Sequence, residues 1–252
     1  MRYLFRKRLV LYVAFSVAVY GMKAQKNEGS LIIKIHPVFN GKALKLTTEP
    51  YVNAHQDSLF IDVFKCYLSA LKLSPGNGVE FKETKSYHLI NADDSISLVF
   101  VIKNIPEGNF KTLSFNIGVD SISSVSGALD GDLDPSKGMY WAWNTGYIDA
   151  KLMGRSKQCK TRQNSFEYHI GGYSGPNKTL QKVRLDLNII NIEPNKTTHL
   201  ELKAELAEWF NNPYLLDLSV TNAVLIPGKE ALRMAENYAD MFQVLKITSP
   251  KK

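Results

Sequence analysis

From Leu31 onward the chain alternates apolar and polar residues in short stretches separated by turn-forming clusters. A period of two is the pattern of strands with one buried face. It predicts strands over 31–39, 58–73, 79–89, 96–102, 111–119, 139–152, 165–170, 179–192 and 197–206. Ser74-Pro75-Gly76-Asn77-Gly78 reads as a hairpin loop, and Ile105-Pro106-Glu107-Gly108-Asn109 and Glu193-Pro194-Asn195-Lys196 read the same way. A helical period emerges only after the breaker Pro227-Gly228, where Ala231, Met234, Ala235, Tyr238, Met241, Phe242 and Leu245 recur at three and four residues. Such a stripe forms an amphipathic helix whose apolar face packs on a sheet, in preference to one that docks a partner. No repeat or linker divides the chain, so the expected fold is mainly β: a single antiparallel β-sandwich, immunoglobulin-like, with a C-terminal amphipathic helix.

The first 24 residues break this pattern. A basic start precedes an apolar run from Leu9 to Met22, followed by a plausible cut after Ala24. That is the layout of an export signal, and the 14-residue run falls short of the roughly 20 residues a membrane span needs. The expected mature protein is one domain over 25–252, periplasmic or secreted, with no stable membrane span. Removing the leader also changes the charge. Arg2, Arg6, Lys7, Arg8 and Lys23 account for five of the 31 basic residues, leaving 26 against 24 acidic ones. A net charge of +2 in place of +7 leaves no excess to neutralise a phosphate backbone, so a nucleic-acid partner is not expected. With 44% hydrophobic and 11% aromatic residues the chain can bury a sizeable core, and disorder is excluded.

The familiar catalytic motifs are missing: there is no HExxH, CxxC or glycine-rich phosphate loop. Gly172-Tyr173-Ser174-Gly175-Pro176 carries proline where a nucleophile elbow needs its second glycine, so it reads as a turn. Asp130, Asp132 and Asp134 begin like a calcium loop, but Pro135 and Trp141 occupy the positions that need glycine and glutamate. Cys66 and Cys159 either pair in an oxidising compartment or remain small buried hydrophobes. With no nucleophile or acid/base pair, the chain is not expected to be an enzyme.

Several unusual segments remain. They are His36-Pro37-Val38-Phe39-Asn40-Gly41, Phe115 to Asp120, and Leu133-Asp134-Pro135 leading to Gly138-Met139-Tyr140-Trp141-Ala142-Trp143-Asn144-Thr145-Gly146-Tyr147. Phe166-Glu167-Tyr168-His169-Ile170-Gly171-Gly172 and Ala235 to Phe242 complete the set. On a strand, Trp141 and Trp143 would face one side. Together these segments resemble the MbnP-like family of exported copper-binding proteins, the methanobactin-associated periplasmic type, over essentially the whole mature chain. The resemblance implies a copper-binding protein for acquisition, storage or relay that holds one copper ion. The implied ligands are His36, His169 and a kynurenine made from Trp141 or Trp143 by a dihaem c-type peroxidase-like partner. The chemistry is consistent: an indole N–H only donates, whereas the opened ring carries an amine able to ligate. Two imidazoles and an amine suit copper better than oxygen-preferring ions. His55, His88 and His199 lie outside the recognisable segments. The alternative is a non-catalytic β-sandwich that binds glycan or peptide through an aromatic face.

Overall fold

The computed structural model describes residues 27–143 and 146–250. The leader predicted over 1–24 lies outside the described residues, and none of the described helices is long and apolar enough to cross a membrane. The elements are β1 (Glu28–Phe39), β2 (Lys42–Ala43), β3 (Pro50–Val52), β4 (Ser58–Ser74), β5 (Phe81–Lys82), β6 (Tyr87–Asn91), β7 (Val99–Pro106) and β8 (Gly108–Ile117). They continue with α1 (Ser121–Val125), β9 (Ala150–Ser156), β10 (Ser165–Ile170), β11 (Gln181–Ile192), β12 (Thr197–Glu205), β13 (Ala223–Val224), α2 (Lys229–Tyr238) and β14 (Phe242–Thr248).

These strands build two sheets. The first runs β14-β12-β1-β2, with β7 also on β1; the second runs β11-β8-β4-β9-β10-β13, with the short β3, β5 and β6 also on β4. Alternation decides which side chains meet between them. Leu31, Ile33 and Ile35 of β1 and Leu200, Leu202 and Ala204 of β12 share one core with Phe64, Cys66 and Leu68 of β4 and Phe115 and Ile117 of β8. The long β4 keeps its apolar side inward by shifting register between Ser69 and Lys72, where Ala70 takes a φ of 53°. Leu68 and Leu71 are then both buried, which strict alternation would forbid.

Most pairings are antiparallel, but β1 runs parallel to β12 and β10 parallel to β13, so the sandwich is not the purely antiparallel one expected. Two of the predicted hairpins are sheet crossings. The turn at 105–109 carries the chain from β7 in the first sheet to β8 in the second, and the turn at 193–196 carries it back from β11 to β12. Turn chemistry reverses a chain without choosing its next partner. Gly29 lets β1 pass beneath the second crossing: a Cβ there would sit 2.4 Å from the Glu193 carbonyl oxygen. Of the three predicted hairpin turns, Ser74 to Gly78 alone closes one, between β4 and β5.

The expected C-terminal helix is divided. α2 ends at Tyr238, and Phe242 and Leu245, assigned to its stripe by periodicity, lie in β14, which pairs antiparallel with β12. Ala231, Met234, Ala235 and Tyr238 are buried in the main core, with α2 packed on β10 and on the 3-10 turn Leu206–Phe210. Trp209 and Tyr238 pack with tilted rings 4.6 Å apart between centroids.

Candidate metal and aromatic site

Between β8 and β9 the chain leaves the sheet and folds over its outer surface. Residues 118–143 carry α1 and the 3-10 turns Gly131–Leu133 and Pro135–Lys137, and there and at 146–149 a second apolar cluster forms. It joins Tyr67 of β4 and Leu89 of β6 to Val119, Leu133, Met139, Trp141, Tyr147 and Ile148. Polar side chains fasten this cover from below. Tyr67 Oη donates to the Asp132 carbonyl at 2.9 Å, Lys65 Nζ to the Lys137 carbonyl at 3.0 Å, and Lys151 Nζ to the Gly138 carbonyl at 2.5 Å. The three aspartates that begin like a calcium loop have structural roles here. Asp130 precedes the first 3-10 turn, Asp132 accepts from Leu89 N and pairs with Lys137, and Asp134 caps the second turn by accepting from Ser136 N.

Trp141 and Trp143 stand in this cover, not on the strand expected over 139–152, whose regular part starts only at Ala150. A tight reversal holds them: Trp141 N donates to the Gly146 carbonyl at 2.9 Å and Ile148 N to the Met139 carbonyl at 2.9 Å. Their rings lie 5.8 Å apart, but Trp141 is 6% exposed and Trp143 64%. Both line a shallow cavity of about 350 Å³ with Tyr173, Ile226 and Pro227. Trp141 reaches the sheet through Gly171, where a Cβ would sit 3.0 Å from its ring and 2.6 Å from the Tyr147 carbonyl oxygen. Only glycine leaves room for the indole.

His169 is two residues before Gly171. In β10, Phe166, Tyr168 and Ile170 point into the main core, so His169 faces the same outer surface as the covering loop. Its Nε2 is shielded from solvent and has no hydrogen-bond partner among the described residues. Burial, with help from neighbouring Lys151, pushes its pKa down to about 4. The imidazole is therefore neutral at physiological pH and has a lone pair to offer.

His36 does not join it. Lys34 and His36 project from the outer face of the first sheet, because Ile33 and Ile35, which alternate with them, face inward. There His36 Nε2 meets Glu201 Oε2 at 2.7 Å, with its side chain 31% exposed. The two imidazoles thus point away from each other across both sheets, which stack about 10 Å apart before side chains are counted. The structure does not bring His36 and His169 together. His88 stacks on Phe100 at 3.9 Å and bonds Glu83, while His199 sits on the β12 outer face. Both cysteines are buried free thiols, and burial raises the Cys159 pKa to about 11.

The sequence reading passed over Asp149. It is fully buried behind the loop, accepts from Thr179 Oγ1 at 2.6 Å and Val119 N at 2.9 Å, and is held up to a pKa of about 7 by burial. Nothing in the sequence distinguishes it from a surface aspartate. Gly118, with φ 117°, is the local trace, since a Cβ there would sit 2.5 Å from the Asp149 carboxyl.

A family model for MbnP matches residues 28–226. The chain belongs to the MbnP family. Among solved structures, MbnP from Methylosinus trichosporium is similar at a TM-score of 0.55 and 15% identity, over 80% of this chain and 83% of that one. No curated protein matches. The part matched by the MbnP family model takes in β1, the covering loop and β10, and stops before α2 and β14.

Proposed function

We propose that this MbnP-family chain is an exported, non-catalytic protein that holds one copper ion for acquisition, storage or relay. His169 is its protein imidazole, and Trp141 is the ring converted to a kynurenine by a dihaem c-type peroxidase-like partner. One observation carries this reading: the shielded Nε2 of a neutral His169, without a partner among the described residues, lies on the face where Trp141 packs against Gly171. A nitrogen donor so placed fits copper, which takes imidazole readily. Copper bound there would be redox-active; the chain's own residues hold the imidazole neutral, seat the indole and shield the Nε2 from solvent. His36, tied to Glu201 on the far face, has no part in this ligand set. Trp143, more exposed, is the alternative ring.

The test is a thermal melt with and without copper, in the parent and in His169→Ala and His36→Ala. The copper-induced rise in Tm disappears in His169→Ala and persists in His36→Ala. The reverse pattern overturns the ligand assignment. Peptide masses after incubation with the dihaem partner and peroxide identify which tryptophan is oxidised.

A second reading draws on the exposure of Trp143 at the mouth of the 350 Å³ cavity: an aromatic platform for glycan or peptide. Retention on a glycan surface that is lost in Trp143→Ala and indifferent to chelator would favour it.

A further inference from the structure

A separate group of metal-ligand side chains lies at the β3–β4 turn. Asp57 N donates to Asn53 Oδ1 at 2.8 Å, and Asn53 Nδ2 donates back to Asp57 Oδ2 at 3.1 Å. Leu218 N reaches the same Oδ2 at 3.4 Å. Asp57 Oδ1 is left facing His55 Nδ1 at 3.3 Å, and His55 Nε2 lies 4.0 Å from Asp217 Oδ2. One ligand atom from each of the three residues falls within 4.8 Å of the others.

Burial gives an independent reason to expect a cation. The Asp57 side chain is 5% exposed, and among the described residues no lysine or arginine forms an ion pair with it. With a second carboxylate and an imidazole nitrogen converging on this buried carboxylate, a bound cation would be favourable there. His55 and Asp217 are partly exposed, so an ion has a route in from solvent.

We propose that His55, Asp57 and Asp217 bind one divalent first-row transition ion, represented by Zn2+. One nitrogen and two oxygen donors suit zinc and its neighbours, and the lack of a thiolate disfavours Cu(I). Water completes the coordination. The ion ties the 53–57 turn to the 217–221 turn, which Asp217 organises by accepting from Ser219 N at 2.8 Å and, through its carbonyl, from Thr221 N at 2.9 Å.

Zn2+ is titrated calorimetrically into the full chain after EDTA treatment, with thermal melts on the same samples. The parent takes up one equivalent with a rise in Tm. His55→Ala and Asp217→Asn each weaken binding by about tenfold or more, and the double variant loses it. Both substitutions are at the surface, so the metal-free Tm stays near the parent's and shows that the variants fold. Co2+ absorption gives a second readout, in which the ligand-field bands vanish in the double variant. No uptake by the parent, or unchanged uptake in the double variant, overturns the proposal. Loss of the Zn2+ equivalent in His169→Ala would likewise overturn it by assigning that ion to the other face, whereas loss of the copper response alone leaves this site standing.

Discussion

His36 and His169 each project from the outer face of a sheet and each is partly exposed, yet the Nε2 of one is held by a carboxylate and that of the other is shielded without a described partner. The strands do not account for the difference. On the outer surface that His169 faces, the segment 118–143 is anchored by Tyr67, Lys65 and Lys151, and the partial burial of His169 there disfavours an imidazolium. A cover laid over a sheet can turn an ordinary surface position into a low-dielectric one. His36, with Glu201 and Lys203 around it, retains the environment its strand position predicts.

The cover should dominate the pH dependence of stability. Asp149, whose carboxyl is raised to about 7 from 3.8, favours the folded state while protonated. Its contribution is complete below pH 3.8 and is lost as pH rises towards 7, on the order of 4 kcal/mol as an upper bound. Asp149→Asn should flatten this decline, as measured by urea unfolding at several pH values. An unchanged slope would mean that the loop admits water. Next in size is Met139→Ala, which empties part of the second cluster and should cost about 2–5 kcal/mol. The same change should move the His169 pKa back up towards 6.5, followed by NMR titration. If it stays near 4, the sheet itself causes the desolvation.

His169 works in the opposite direction to Asp149. Its pKa is lowered from 6.5 to about 4, so its contribution is present above pH 6.5 and lost as pH falls towards 4. His169→Gln should remove that acid-side loss and leave the Asp149 decline more visible; a pH profile identical to the parent's would contradict the buried, neutral imidazole. The smallest effect belongs to the other face. Glu201→Gln, which breaks a partly exposed pair, should change stability by about 1 kcal/mol or less and leave the copper response unaltered.

Much of this contrast could be read in the sequence, and the failures have specific causes. Alternation placed β10 at 165–170 and all but the ends of β1 and β4, because burying one face enforces a period of two. It failed over 139–149, where apolar spacing belongs to a loop packing its own cluster on the sheet and not to a strand. It also carried the helical stripe past Tyr238 into β14, since Phe242 is buried in either conformation. The tryptophans were expected on one side of a strand; they stand outside any strand, 5.8 Å apart and with exposures that differ greatly.

By itself the sequence determined the sandwich, most of its strands, the unusual residues and the family resemblance, since each depends on local periodicity or on a motif contiguous in the chain. Tertiary structure alone decided which turns cross between sheets, which outer face each histidine occupies, and that Asp57, His55 and Asp217 meet. Those outcomes depend on contacts between segments far apart in sequence, and on water excluded by a loop whose position no local pattern records.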